Sequence, residues 1–278
     1  FYSERDLRCF LGGLAMTRLL LLQGISGTGK TSLPRAFASA IGAGCEVISV
    51  QAGWRDKQDL VGYFNAFHRH FYTQPFLKAL YTAGTPAYRD RPFFIILDEM
   101  NLSRPEQFFS EFLSALELDP KSRYLTLLND RLPSAPKLLK DGQSLLIPPN
   151  VWFIGTANHD ESTVEFADKT YDRAHVMEMP RNTEAAKFSV DHKPERAPIS
   201  YFELEALFEK NAEAHHRAAM LRICVHDLLV HCVLTRGNHR ALLGDISCLL
   251  VQAILLLDHW KVGVLATCCV CGNLLIRL

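Results

Sequence analysis

Residues 24–31, Gly24-Ile25-Ser26-Gly27-Thr28-Gly29-Lys30-Thr31, fit the pattern G-x-x-x-x-G-K-[ST]. Such a loop wraps backbone N–H groups around nucleotide phosphates, sends its lysine to the β/γ-phosphates and offers its last hydroxyl to Mg²⁺. Gly24, Gly27, Thr28, Gly29, Lys30, Thr31 and Ser32 are therefore the candidate nucleotide-binding residues. A second constellation, Phe93-Phe94-Ile95-Ile96-Leu97-Asp98-Glu99, is an apolar run ending in two carboxylates. Magnesium takes hard oxygen ligands, so Thr31 and Asp98 are the candidate metal residues, and Glu99 is placed to polarise an attacking water. A third run, Val151 to Asn158, ends in an amide that suits water positioning; its other use is to cap the following turn.

Two arginines complete the candidates. Arg173 closes Asp168-Lys169-Thr170-Tyr171-Asp172-Arg173-Ala174, the place for an arginine finger supplied by a neighbouring molecule; a surface pair with Asp172 is the plainer reading. Arg240 opens a helical pattern and is favoured over Arg236 as an arginine reaching back toward the phosphates.

The elements that must position these groups alternate. Strand patterns lie at Leu19–Gln23, Glu46–Gln51, Pro92–Leu97, Val151–Thr156 and His175–Met179, separated by helical patterns at Thr31–Ile41, Pro75–Ala83 and Pro105–Leu118. Strand–helix alternation predicts an α/β domain with a parallel sheet, whose ligands sit at the carboxyl ends of the strands. Ser3 and Asp6 read as a capping box opening a helix through about Met16. Between 123 and 150, two short apolar runs flank a Pro/Lys-rich turn, the pattern of an inserted β-hairpin; Lys137 and Lys140 near its turn are read as solvated. Trp54, Tyr63 and Phe64 are expected to pack the loop after the second strand onto the core, with contact to a threaded substrate or a nucleobase as their other use. Residues 181–200 read as a linker, and 201–278 as a small all-helical domain.

Composition narrows the class. The chain has 278 residues, 48% hydrophobic and 22% charged, with Lys+Arg and Asp+Glu at 30 each. This balance gives no global field that would by itself draw in or exclude nucleic acid. Of eight cysteines only Cys268 and Cys271 have C-x-x-C spacing, and they read as reduced thiols rather than zinc ligands, which suits a cytoplasmic setting. The longest apolar stretch, Ile246 to Leu257, is too short to span a bilayer, so no membrane contact is expected. A chain beginning at Phe1 without a polar tail at its end is expected to be part of something larger.

The order of phosphate loop, Asp98-Glu99, Asn158, Arg173 and Arg240 resembles an AAA+ ATPase. The motifs Leu97-Asp98-Glu99-Met100-Asn101, Gly155-Thr156-Ala157-Asn158-His159-Asp160-Glu161-Ser162-Thr163 and 168–174, with Gln51-Ala52-Gly53-Trp54 and Asp59 to Asn65, are similar to the McrB-type clade, the NTP-hydrolysing subunits of modified-cytosine restriction systems. MoxR-type protein-remodelling ATPases are cousins. The resemblance implies a five-stranded parallel P-loop AAA+ core with helices on both faces (residues 1–180), an inserted β-hairpin and a helical lid. It implies homo-oligomeric, hexameric rings with nucleotide at the interfaces, a nuclease or other effector subunit as partner, and DNA contact through a partner or further domains. By the resemblance Asn158 is sensor 1, Arg173 the finger acting in trans and Arg240 sensor 2. The McrB type has Met-Asn-Thr before the sensor where this chain has Gly155-Thr156-Ala157-Asn158. ATP is therefore the expected substrate, with GTP as the alternative, alongside Mg²⁺. An intact Glu99 argues against a non-hydrolysing scaffold.

Overall fold

A computed structural model of the chain describes residues 2–129, 131, 135–159, 163–180 and 198–213. Arg240, Arg236, Cys268, Cys271, nearly all of the expected linker and most of the expected lid lie outside the described residues. The strands and helices named below belong to the unit Phe1–Lys210.

In chain order the elements are α1 (Glu4–Met16), β1 (Leu19–Gly24), α2 (Ser32–Ile41), β2 (Gly44–Ser49), α3 (Lys57–Val61), β3 (Gly62–Asn65), β4 (His70–Thr73), α4 (Pro75–Ala83) and β5 (Phe93–Asp98). There follow α5 (Pro105–Phe108), α6 (Ser110–Leu116), β6 (Tyr124–Thr126), β7 (Leu139–Lys140), β8 (Ser144–Leu146), β9 (Val151–Asn158), α7 (Asp168–Tyr171) and β10 (His175–Glu178). Five of the strands form one parallel sheet in the order β10-β1-β9-β5-β2. The chain thus has a five-stranded parallel α/β core with flanking helices.

The three central strands carry the longest apolar runs because both of their faces are covered. Every residue of β1 is buried, as are all but the last of β5 and of β9. Each sheet face has its own core. On one, Leu21, Ile95, Leu97 and Phe153 meet α4 and α6, with Phe76 stacked on Phe153 at 5.8 Å between ring centres. On the other, Leu20, Leu22, Phe94 and Trp152 meet α1, α2 and helical residues including Tyr201, Leu204 and Phe208. Trp152 is fully buried and donates its indole N–H to the Leu14 carbonyl at 2.9 Å. The Ser3–Asp6 capping box opens α1, as its spacing predicts.

Three local differences from the sequence expectations have physical reasons. The helix expected over Pro105–Leu118 breaks at Phe109, which ends α5 and begins α6 while its ring stacks on Phe112 at 4.9 Å. The edge strand β2 starts two residues before its expected position, because most of its side chains are half-buried or exposed and apolar alternation is faint. The stretch between β2 and α4, read as loop, contains the antiparallel pair β3–β4. In the 123–150 segment β6 and β7 each pair antiparallel with β8, giving a small three-stranded sheet.

Candidate functional site

The loop Gly24 to Thr31 links the end of β1 to α2, and its backbone explains its glycines. Gly27 and Gly29 have φ of 81° and 89°, values that cost an L side chain about 1–2 kcal/mol. A Cβ at Gly29 would also stand 2.6 Å from the Tyr2 hydroxyl. That hydroxyl donates to the Gly29 carbonyl at 2.8 Å, tying the segment before α1 to the loop. Burial pushes the Tyr2 phenol above its ordinary pKa, so it remains a neutral donor at physiological pH. Lys30 is only 6% exposed, and its ammonium donates to the carbonyls of Gly24 (3.0 Å) and Ile25 (2.8 Å). A cation there is held at the mouth of the loop, beside the N-terminus of α2, where anions are favoured.

Thr31 is the N-cap residue of α2, yet its side chain makes no capping bond. It donates instead to Asp98 Oδ1 at 2.6 Å. The Thr156 hydroxyl donates to that same oxygen at 2.8 Å and accepts from the Glu99 backbone N–H at 2.9 Å. One carboxylate oxygen thus joins the loop after β1 to the ends of β5 and β9. Glu99 follows in the left-handed region, φ 54° and ψ 46°. Its carboxylate is exposed and lies 3.3 Å from the Asn158 side-chain amide, which donates to it. Asn158 is itself fixed from behind. Its carbonyl accepts from the Asn101 side-chain amide at 2.8 Å, and its N–H donates to Asn101 Oδ1 at 3.3 Å.

The structure therefore gathers Gly24, Gly27, Thr28, Gly29, Lys30, Thr31, Ser32, Asp98, Glu99 and Asn158 at the carboxyl ends of β1, β5 and β9. Thr156 and Asn101 belong to the same constellation, although sequence reasoning missed their part in it. A buried threonine inside the apolar run Val151 to Ala157 was the available signal for Thr156. Asn101 is buried, at 5% exposure, and its part comes from hydrogen bonds that no spacing along the chain carries.

Arg173 lies elsewhere. Its carbonyl accepts from the Thr17 hydroxyl at 3.5 Å, so it stands where β1 begins. Six residues of β1 separate that end from the phosphate loop, about 20 Å at strand rise. The guanidinium pairs with Glu117, at the end of α6. It borders a cavity of about 420 Å³ also lined by Arg18, Glu117, Arg123, Asp172 and Glu205. Burial lowers the Arg123 pKa from its ordinary value, and the nearby Arg18 charge pushes it the same way. Arg18 pairs with Glu205 at 2.8 Å and lies 4.0 Å over the Trp152 ring. Arg240 lies outside the described residues.

The remaining aromatic candidates separate. Trp54 packs edge-on against Phe108 at 5.4 Å between ring centres, and its carbonyl accepts from Ser103. Phe64 is half-buried, whereas Tyr63 is 47% exposed, so the expectation of core packing fails for Tyr63. Its place on an outward face of β3 is the reason. Among the described residues no helix is long and apolar enough to cross a membrane.

Comparison with known proteins agrees with this geometry. The family described as AAA domain (dynein-related subfamily) matches residues 19–174, a span from the start of β1 to the residue after Arg173. No curated protein matches the chain. Among solved structures, one of a candidate ATPase from Cytophaga hutchinsonii is similar with 17% identity and a TM-score of 0.42. The match covers 64% of this chain and 46% of that one, so the chain spans under half of that protein's length.

Proposed function

The chain belongs to the dynein-related AAA domain family, and from that premise we propose that it binds a nucleoside triphosphate on the Gly24–Thr31 loop, hydrolyses it and turns the cycle into motion of a partner. The finer reading is a ring-forming motor module of the McrB type, linked to DNA restriction or defence. The observation that carries the hydrolytic reading is the single oxygen, Asp98 Oδ1, shared by the Thr31 and Thr156 hydroxyls. It joins the phosphate loop to the end of β5 and to β9, the strand that carries Asn158.

Lys30 would exchange the loop carbonyls for β/γ-phosphate oxygens. The oxygen donors of Thr31 and Asp98 fit Mg²⁺, which prefers a few protein oxygens and completes its shell with phosphate and water. When bound, the cation neutralises charge on the phosphate oxygens. Glu99 takes the proton of the attacking water. The Asn158 amide, 3.3 Å from that carboxylate, orients the same water, and Asn101 keeps Asn158 from swinging away. Arg173, about 20 Å from its own loop at strand rise, serves the site of an adjacent copy, so a ring of identical chains completes each site. Arg240 takes the sensor 2 role that the resemblance assigns.

The test is the hydrolysis rate per chain for ATP and for GTP as protein concentration rises, with Glu99→Gln as blank. A rate that climbs with concentration is expected, with ATP preferred. A rate equal to the blank at every concentration would overturn hydrolysis. A rate above the blank that stays flat while the chain is sized as a monomer would overturn completion by a neighbour.

A further inference from the structure

The β3–β4 pair turns one aromatic, Phe71, onto the core and leaves others, Tyr63 and Tyr72, exposed. Its register sets Tyr63 opposite Tyr72, Phe64 opposite Phe71 and Asn65 opposite His70. Alternation along each strand then puts Phe64 and Phe71 on one face and Tyr63, Asn65, His70 and Tyr72 on the other. The first face is the anchor, since Phe71 packs against the core cluster under α4. Gly62, at φ 102°, fixes how the hairpin leaves α3, because a Cβ there would run into the Tyr72 carbonyl.

The second face is open. Tyr63 and Tyr72 stack on each other, 5.4 Å between centres with planes 25° apart, while remaining 47% and 44% exposed. His70 meets Tyr72 edge-on at 5.1 Å. Phe67, at the tip, is 91% exposed, and its only described ring contact is with the adjacent His68. The tip is nonetheless ordered by its own turn, in which Asn65 Oδ1 accepts from the His68 N–H at 3.0 Å. That turn presents the Phe67 ring to solvent.

The chemistry of this face selects the occupant. Apart from Ala66, every outward or tip side chain is planar: phenol, phenyl, amide, imidazole or guanidinium. The charge has one sign. Between Gly62 and Thr73 there is no Asp or Glu, while Arg69, His68 and His70 fall within the stretch. The Tyr63–Tyr72 stack and the Phe67 ring are four residues apart along the hairpin, about 13 Å at strand rise, which provides two stacking platforms on the hairpin that carries Arg69.

We propose that the β3–β4 hairpin binds single-stranded nucleic acid, with bases stacking on Phe67 and on the Tyr63–Tyr72 pair and phosphates drawn to Arg69. Flat rings interleaved with cations are the means by which proteins hold unpaired strands without reading sequence. A duplex hides its base faces and offers such rings nothing to stack on. The hairpin is separate from the nucleotide constellation, so binding needs no hydrolysis.

The test is fluorescence anisotropy of a labelled oligothymidylate with the whole chain at low salt and without nucleotide, repeated with the matching duplex. Wild type should bind the single strand, and more tightly than the duplex. Phe67→Ala should weaken binding about tenfold, and Phe67→Leu should weaken it nearly as much, since stacking needs a ring and not merely apolar bulk. Arg69→Asn keeps a residue that tolerates the φ of 49° found there, and should reduce the salt slope by about 0.7, one phosphate's share on a single strand. Both Phe67 variants should hydrolyse nucleotide at the wild-type rate, which reports that they fold. The proposal is overturned if wild type binds no single strand, if the duplex binds equally well, or if the Phe67 variants bind as tightly as wild type. It is also overturned if Phe67→Ala instead abolishes binding to unfolded casein or lowers the oligomeric mass, outcomes that assign the face to a polypeptide or to a second copy of the chain. Failure of Glu99→Gln to lose hydrolysis would refute the proposed function and leave this result standing.

Discussion

The two ends of the sheet carry opposite chemistries. At the carboxyl ends of β1, β5 and β9 stand a glycine loop, a buried lysine and the oxygens of Thr31, Asp98, Glu99 and Thr156, joined by hydrogen bonds of 2.6 to 3.3 Å. At the other end Arg18, Arg123 and Arg173 crowd a cavity and are balanced by Glu117, Asp172 and Glu205. The first end suits a polyanion, whereas at the second Arg173 and Arg18 are each engaged in an ion pair, with Glu117 and Glu205. The six residues of β1 hold the two about 20 Å apart, so in the proposed ring the arginine end of one copy would complete the nucleotide end of the next.

The comparison breaks first at Arg173. Arg173→Ala should lower hydrolysis by 10³-fold or more, the loss typical of a missing arginine finger, while nucleotide affinity stays within a few-fold. Mixing Arg173→Ala with Glu99→Gln should restore part of the rate, because a Glu99→Gln chain lends its arginine to the intact base of its neighbour. Absence of rescue would place the arginine's action within its own chain. Next, Asn158→Ala should cost on the order of 10²-fold in kcat, as expected for losing a group that positions the water, with little change in KM. A change confined to KM would make Asn158 a binding residue only.

Smaller effects sharpen the contrast. Tyr2→Phe removes one partly buried hydrogen bond to the loop, about 1 kcal/mol, and should weaken nucleotide binding by roughly fivefold without altering kcat. The phenol's pKa is raised, so this bond is present at neutral pH and is lost only as pH climbs through that raised value. Wild-type affinity should therefore show no Tyr2-dependent change between neutral and mildly alkaline pH. Glu117→Gln should raise the rate per chain at limiting concentration by two- to threefold at most. The Glu117–Arg173 pair is partly exposed, 53% and 28%, and such pairs hold an arginine with less than about 1 kcal/mol.

Legibility in the sequence followed burial. Leu19 to Leu22, Phe93 to Leu97 and Val151 to Ile154 announce themselves as strands because central parallel strands are apolar on both faces. The loop and the carboxylates announce themselves because phosphate and metal chemistry restricts residue types. The edge strand Gly44–Ser49 and the hairpin Gly62–Asn65 with His70–Thr73 lack that signature, each having solvent on one side. Thr156 and Asn101 act only through hydrogen bonds formed once β9 lies between β1 and β5, and no spacing along the chain foretells them. The separation of Arg173 from the loop likewise comes from the sheet and not from its motif.

Glu99 holds a left-handed backbone immediately after a buried strand, and that posture sets the geometry of the turn against its chemistry. An asparagine would accept those angles with less strain, so the substitution that most relaxes this turn is also one that abolishes the base. The catalytic base of the proposed function and the ease of the turn therefore make opposite demands on this one position.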